Sequence, residues 1–210
     1  MNREIELKFR LADPAAFRTR LQAHGAQRVR EDFEVNRVFD TEARAMTKSG
    51  GVLRVRELTT EGQPAQARLT YKGPREEHAV KIREEVETAV GSADSLCLIL
   101  TRLGYTETIR YDKRRETWLL SDCEVVVDEL PALGHFGEIE GPSINRVRNV
   151  QQKLEVSAAD LVEDSYIGLT VQYGATGPDG VCHLSFAASA PGTPPRPIGP
   201  PWSSPEMHGE

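Results

Sequence analysis

The stretch Glu4-Ile5-Glu6-Leu7-Lys8-Phe9-Arg10-Leu11 alternates strictly between charged and apolar residues. A period of two residues is that of a β-strand, in which successive side chains point to opposite faces of the sheet. The stretch therefore predicts a strand with one apolar face and one charged face. Both signs of charge occur on that face, which carries Glu4, Glu6, Lys8 and Arg10.

The same pattern recurs along the chain. Further strands are predicted at residues 28–41, 51–59, 67–72, 79–89, 107–119, 124–130 and 136–140, and nearly all of them place charged residues on one face. Helices are predicted at about 13–25, 92–103 and 143–153, since Asp13 and Ser92 suit helix N-caps and Gly25 and Gly104 suit helix ends. Runs of strands separated by single helices indicate the α+β class.

Two interpretations of the charged faces are open. Solvated outer faces are the simpler one, because a half-buried strand normally turns its polar side to water. The alternative is a barrel with charge inside and apolar residues outside, covered by the helices. The amount of apolar strand surface and the need of the amphipathic helices for a docking face favour the barrel.

The charges also divide into two chemically meaningful sets. Carboxylates are the ligands that magnesium and manganese prefer, and the acidic set is Glu4, Glu6, Glu124, Asp128, Glu138 and Glu140. Lysine and arginine clamp phosphate oxygens, and the basic set is Lys8, Arg54, Arg56, Lys72, Lys81, Arg83, Lys113 and Arg115. Acid beside base in one cavity suits a complex of a divalent metal with a polyphosphate.

At these residues the chain resembles the CYTH family, also called triphosphate tunnel metalloenzymes, which joins class IV adenylyl cyclases with thiamine triphosphatases. The resemblance covers roughly residues 1–170. The N-terminal signature ExExK stands here as Glu4-Ile5-Glu6-Leu7-Lys8. The later blocks follow in family order: Leu53-Arg54-Val55-Arg56, Leu69-Thr70-Tyr71-Lys72-Gly73-Pro74, Arg83-Glu84-Glu85-Val86-Glu87, Lys113-Arg114-Arg115-Glu116, Val127-Asp128-Glu129-Leu130-Pro131 and Gly137-Glu138-Ile139-Glu140-Gly141.

The resemblance implies an eight-stranded antiparallel closed β-barrel, the triphosphate tunnel, with helices packed on its outside. It implies phosphate binding by Lys8, Arg54, Arg56, Lys72, Arg83, Lys113 and Arg115, to which the charged-face pattern adds Lys81. It implies binding of Mg²⁺ or Mn²⁺ by Glu4, Glu6, Asp128, Glu138 and Glu140. The candidates for a catalytic role are Lys8, Glu138 and Glu140, although Lys8 among carboxylates is better suited to a phosphate clamp than to a general base.

The motifs leave the reaction open. A class IV adenylyl cyclase, which converts ATP to cyclic AMP and pyrophosphate, is slightly favoured. A triphosphatase acting on tripolyphosphate, thiamine triphosphate or a nucleoside triphosphate uses the same clamp. A non-catalytic polyphosphate-binding module would lack acidic ligands, and an interaction protein would show no metal-dependent ligand binding.

Composition sets the domain limits. We expect a tunnel domain at residues 1–172 and a disordered tail at 173–210, because eight of the 13 prolines lie beyond Gly174; the patch 181–186 is the one part of the tail that suits a short strand. A net charge of −6 argues against nucleic acid or membrane as partners. We expect a small-molecule triphosphate as the partner, and a homodimer is an assembly that the sequence allows. Three scattered cysteines and the lack of an apolar leader favour a cytoplasmic protein.

Several single residues have two interpretations. Glu85 and Glu87 suit a second metal or, more simply, ion pairs with neighbouring arginines. Tyr111 and Trp118 suit base stacking or, more commonly for aromatic residues on strands, an apolar core. Tyr166 and the final helix suit either a cover over one mouth of the tunnel or ordinary packing.

Overall fold

The computed structural model describes residues 2–76 and 81–186, which form an α+β fold dominated by strands. The strands are β1 (Asn2–Leu11), β2 (Gln27–Thr41), β3 (Val52–Thr60), β4 (Gln66–Lys72), β5 (Lys81–Val90), β6 (Tyr105–Leu120), β7 (Cys123–Leu130), β8 (Gly134–Glu140), β9 (Ala175–Thr176) and β10 (Cys182–Leu184). The helices are α1 (Pro14–Ala23), α2 (Ala45–Lys48), α3 (Ala93–Arg102), α4 (Ile144–Lys153) and α5 (Tyr166–Tyr173), with a 3-10 turn at Ala158–Asp160.

Strands β1 to β8 close into a barrel. Their order is β2-β3-β4-β5-β1-β8-β7-β6, and β6 returns to pair with β2. Each of these pairings is antiparallel. The prediction of an eight-stranded antiparallel closed barrel with helices on its outside is therefore confirmed.

The helices begin at residues whose side chains can cap a helix N-terminus. The Asp13 carboxylate accepts a hydrogen bond from the backbone amide of Ala16 at 2.9 Å, with a proline at the first position of α1. Ser92 caps α3 in the same way. The short helix α2 was not predicted. It forms because the Asp40 carboxylate accepts backbone amides that follow it by six and seven residues.

The main apolar core lies outside the barrel. One cluster packs α1 and α4 against outward side chains of β1, β6, β7 and β8, and includes Phe9, Phe17, Trp118, Ile139 and Val147. Another packs α3 against β2, β3 and β4 and includes Phe39, Val55 and Leu100. Burial of these faces drives folding and leaves the charged faces to point inward. Trp118 thus belongs to the core.

A further apolar cluster fills one end of the barrel interior. Its members on the strands point into the barrel, on the same strand faces as the charged residues. They are Val38, Tyr111, Leu130 and Phe136. Helix α5 lies across this end, where Tyr166 is 6% and Leu169 1% exposed. At the opposite end Arg30, Glu87 and Glu140 are exposed. The interior therefore opens to solvent at that end.

Residues 173–186 were expected to belong to the tail, but in the structure they form the end of α5 and the strands β9 and β10. Strand β10 pairs in parallel with residues 109–111 of β6. This part of β6 has a free edge because β7 pairs only with residues 114–120. Val181 and Leu184 become buried there, each 6% exposed, so a short apolar patch gains enough partners to order. The remaining predicted tail, 187–210, lies outside the described residues.

No helix within residues 2–76 and 81–186 is long and apolar enough to cross a bilayer.

Candidate functional site: a charged cavity inside the barrel

The barrel interior contains a cavity of about 560 Å³ whose lining is mostly ionic. Among the described residues, nine basic and seven acidic side chains line it. Eleven of the predicted site residues are among them: Glu4, Glu6, Lys8, Arg54, Arg56, Lys72, Arg83, Lys113, Arg115, Glu138 and Glu140. The convergence expected from the alternation of charged and apolar residues is thus present.

Strand register explains the convergence. Residues directly opposite one another in an antiparallel pair point to the same face at close range. Glu140 lies opposite Glu6 on β1 and opposite Glu124 on β7. Lys8 lies opposite Glu138. Each strand therefore adds its charged residues to a common interior surface.

One side of the cavity, formed by β2, β3, β4 and β6, is predominantly basic. Lys113 is 1% exposed and Arg54 is 7% exposed. Burial, followed by repulsion from Arg115, lowers the pKa of Lys113. Burial and repulsion from Arg54 likewise lower the pKa of Arg56. The cations are therefore crowded together, which is the arrangement that an anion with several oxygens relieves.

A carboxylate that sequence reasoning missed lies within this basic wall. Glu34 on β2 is 0% exposed. Its carboxylate oxygens lie 3.3 Å from Lys113 Nζ and 3.5 Å from Arg56 Nη1. Because Glu34 belongs to none of the family blocks, only its inward position on the long strand β2 could have indicated it.

The opposite side, formed by β1, β7 and β8, is predominantly acidic. Glu4 accepts hydrogen bonds from Lys72 Nζ at 2.5 Å and Arg83 Nε at 2.8 Å. Burial alone would raise the pKa of Glu4, but Lys72 and Arg83 outweigh it and bring the pKa to about 2. Glu138 lies 3.1 Å from Lys8 Nζ. Glu4 and Glu138 are therefore ionised, and each forms ion pairs with basic side chains of the cavity.

Glu124 and Glu140 form the part of the cavity where negative charge is uncompensated. In the part of the chain that the structure describes, neither carboxylate has a cationic side chain within 4.0 Å. Burial, followed by repulsion from Glu4 and Glu124, raises the pKa of Glu140 to about 8. Unpaired like charges of this kind are what a bound cation would stabilise.

The donor chemistry of this acidic side fits Mg²⁺ or Mn²⁺. Every acidic donor is a hard carboxylate oxygen, and such oxygens suit these cations. Within residues 2–76 and 81–186 no group of three His, Cys, Asp or Glu side chains is already gathered closely enough to hold a metal ion. Metal binding would therefore require the carboxylates to turn toward one another, and the flexible side chains of Glu6, Glu124 and Glu140 allow this.

Two predicted residues lie outside the cavity lining. Asp128 is 0% exposed and accepts hydrogen bonds from Arg115 Nε and the Tyr166 hydroxyl, each at 2.7 Å. It therefore stands behind Arg115, and its role as a metal ligand stays a prediction. Lys81 lies 3.6 Å from Glu6 Oε1 and donates to the Asp164 carbonyl oxygen at 3.3 Å.

Other lining residues extend the site beyond the predicted set. Arg30 and Arg68 add positive charge near the open end, and Ser165, Tyr166 and Ile167 contribute the start of α5. The ring of Tyr166 lies 3.3 Å below Lys8 Nζ. Neither α5 nor this contact follows from strand alternation, because the helix comes from a distant part of the sequence.

The ion pairs expected for the β5 carboxylates are present. Glu85 lies 2.9 Å from Lys72 Nζ, and Glu87 accepts a hydrogen bond from Arg68 at 2.7 Å. Tyr111 lies in the apolar cluster at the closed end and is 2% exposed. Glu87 therefore has the expected arginine partner, Glu85 pairs with a lysine instead, and Tyr111 packs in the core.

Comparison with known proteins agrees with the geometry. Adenylate cyclase CyaB of Aeromonas hydrophila is 29% identical over 138 residues, which are 65% of this chain and 67% of that protein. A solved structure from Vibrio parahaemolyticus, provisionally described as an adenylate cyclase, has a TM-score of 0.68 and 25% identity and covers 78% of this chain and 94% of its own.

A more distant structure shares the fold. A Hippeastrum protein, described as an adenylyl cyclase candidate with a dominant triphosphatase activity, has a TM-score of 0.58 and 18% identity over 77% of this chain and 92% of its own. The model of the CYTH domain matches residues 2–166, which include all eight barrel strands. The chain therefore belongs to the CYTH family.

Proposed function

We propose that this protein is a divalent-metal-dependent enzyme that binds a triphosphate in its barrel, and that its reaction is the conversion of ATP to cyclic AMP and pyrophosphate. The observation that carries the proposal is the division of the cavity inside the barrel into a basic and an acidic side. The names of the Aeromonas and Vibrio relatives support the choice of cyclase.

The basic side would hold the phosphate chain. Arg54, Arg56 and Arg115 offer guanidinium groups, which pair with phosphate oxygens through two donors at once. Lys113 adds a buried point charge. Because these groups are fixed by the barrel, they would stabilise the charge that develops on the phosphate oxygens without reorganising during the reaction.

The acidic side would hold the metal through Glu6, Glu138 and Glu140, with Glu124 beside them. A bound Mg²⁺ or Mn²⁺ supplies charge neutralisation and orientation of the phosphate oxygens. Glu140, whose pKa is about 8 in the metal-free protein, would release its proton on binding the metal. Lys8, placed between Glu138 and the Tyr166 ring, would orient a phosphate oxygen.

Triphosphate hydrolysis is the second candidate, and a feature of the cavity favours it. Tyr166 is the one aromatic residue among the described residues that line the cavity, and its ring already contacts Lys8. Such a lining recognises the triphosphate by charge and provides little for an adenine ring. The activity reported for the Hippeastrum protein is in line with this alternative.

One assay separates the two reactions. The purified protein is incubated with Mg²⁺ or Mn²⁺ and with ATP, tripolyphosphate or thiamine triphosphate in turn. Cyclic AMP and pyrophosphate in equal amounts identify the cyclase. Orthophosphate with no cyclic AMP identifies the triphosphatase. Absence of turnover with every substrate and metal would refute the proposal.

Matched variants test the assignment of the cavity. Arg56→Met removes a cation from the basic side, and we expect a raised KM for the triphosphate. Arg114→Met is the control, because Arg114 lies between the lining residues Lys113 and Arg115 on β6 but points outward, where it pairs with Glu129 at 2.9 Å. Equal kinetic effects in the two variants would contradict binding inside the barrel.

A further inference from the structure

Glu34 is a buried carboxylate surrounded by the cations of the basic wall. It lies opposite Lys113 of β6 and Leu58 of β3. Besides the contacts with Lys113 and Arg56, its Oε1 lies 3.9 Å from Arg115 Nε. A single acidic group therefore reaches three basic side chains that come from two different strands.

Glu34 Oε2 accepts a hydrogen bond from Asn36 Nδ2 at 3.3 Å, and its contacts with the three cations are ion pairs. Burial would raise the pKa of Glu34, but Arg56, Lys113 and Arg115 hold it well below its usual range. The carboxylate is therefore ionised. Its Oε1 atom accepts no hydrogen bond from the described residues. An anion held among cations in this way resembles a phosphate oxygen in its clamp.

We propose that Glu34 is an internal counter-anion that keeps Arg56, Lys113 and Arg115 together when the cavity holds no phosphate, and that it thereby limits how tightly a polyanion binds. The inference rests on the proposed binding of a triphosphate. Without Glu34, Arg56 would lose the one carboxylate within 4.0 Å of it among the described residues, while Lys113 and Arg115 would keep Asp128, and Arg115 also Glu138. The positive charge left in excess would then be neutralised by a bound polyanion.

A purely structural role for Glu34 predicts a different outcome. Removal of one partner from a buried ion pair destabilises a protein and disorders the groups that remain. Loss of a structural ion pair would therefore weaken ligand binding along with the fold. If Glu34 is a counter-anion, its removal changes stability and affinity in opposite directions: the ligand-free protein becomes less stable, and the polyanion binds more tightly. Glu34 is a positioning residue on either view, and the sign of the affinity change decides between them.

The experiment is calorimetric titration of the Glu34→Gln variant with tripolyphosphate and with pyrophosphate, in EDTA so that only the cations of the chain contribute. We expect tripolyphosphate to bind at least about fivefold more tightly than to the wild type, with a smaller gain for the less charged pyrophosphate. The thermal midpoint of the ligand-free variant is expected to fall, and the rise on adding tripolyphosphate is expected to exceed that of the wild type.

Glu116→Gln is the matched control. Glu116 is also a glutamate paired with arginine, 2.6 Å from Arg18, but it faces outward from β6 toward α1. The net charge changes equally in both variants, so a gain in affinity confined to Glu34→Gln locates the effect in the cavity. A gain of the same size in Glu116→Gln would overturn the inference.

The outcomes separate the inference from the proposed function. If the wild type binds no tripolyphosphate, the proposed function fails. If the wild type binds it and Glu34→Gln binds it equally or more weakly, the inference fails while the function stands. Glu34→Gln could be unfolded in the absence of ligand. In that case circular dichroism is recorded with saturating tripolyphosphate, and recovery of the fold supports the inference. Failure to recover, with Glu34→Asp folded and of wild-type affinity, overturns it.

Discussion

Replacement of Glu140 by glutamine is expected to stabilise the metal-free protein at alkaline pH. Burial and the nearby carboxylates raise the pKa of Glu140 from 4.5 to about 8 in the folded state. Between these values the folded state holds a proton that the unfolded chain has lost, so the free energy of unfolding falls as pH rises from about 4.5 to about 8. Glutamine carries no charge at any pH and removes this loss.

The magnitude follows from the same pKa values. At about 1.4 kcal/mol for each pH unit, the difference between 4.5 and about 8 sets an upper limit of roughly 5 kcal/mol. Glu140 lies at the open end of the barrel, where the cavity walls and neighbouring carboxylates crowd its carboxylate but the residue as a whole is exposed. Water therefore screens most of this limit, and we expect about 1 kcal/mol at pH 9. For a chain of this size that raises the thermal midpoint by about 2–4 °C.

Thermal unfolding in EDTA at pH 6 and pH 9 tests the expectation. The midpoint of Glu140→Gln minus that of the wild type should be larger at pH 9. Glu129→Gln is the control, since Glu129 faces outward on the neighbouring strand and pairs with Arg114. With Mg²⁺ at pH 9 the wild type should gain more than Glu140→Gln. A difference between variant and wild type that stays constant or shrinks from pH 6 to pH 9 would refute the reasoning.

Three further changes test other parts of the molecule. Gly137→Ala should lower the thermal midpoint by about 3–10 °C, because the added methyl group would overlap a buried aromatic ring of β1. Glu138→Ala should reduce metal-dependent turnover more than about 100-fold, since it removes a proposed metal ligand that also contacts two cavity cations. A chain ending at Tyr173 should unfold at a lower temperature than a chain ending at Phe186, because it lacks β10 and exposes an edge of β6.

Each of these expectations has a control or a contrary outcome. Gly91→Ala should leave the midpoint nearly unchanged, since its added methyl group meets open space; an equal loss in both glycine variants would contradict the overlap at Gly137. Full metal-dependent activity in Glu138→Ala would remove that carboxylate from the proposed site. Equal midpoints for the two shortened chains would mean that β10 contributes nothing to stability.

Much of the barrel could be predicted because its determinants are local. Strand alternation is a two-residue pattern, and the helix caps act over three residues, so β1, α1 and α3 were expected close to their observed bounds. Strand β10 could not be predicted in the same way. Its order depends on the free edge that β6 offers, and that edge exists only because β7 is shorter than β6.

The candidate site was likewise predictable only in part. Once a closed barrel is assumed, the two-residue alternation along β1, β3 and β8 determines which charged residues point inward. Alternation does not determine which inward residue reaches the cavity. Glu138 lines the cavity, whereas Asp128 lies behind Arg115. Nor does alternation reveal that Tyr166, brought from α5, touches Lys8. Such contacts depend on three-dimensional packing of segments that are far apart in sequence.

The helix across one end of the barrel determines how molecules travel. Tyr166 and Leu169 pack over Phe136 and Leu130 at this end, and among the described residues the cavity opens to solvent near Arg30 and Glu140. If the proposed function holds, a substrate would enter by the same mouth through which the product leaves. A phosphate product held in the cavity would then inhibit the next turnover by occupying the site.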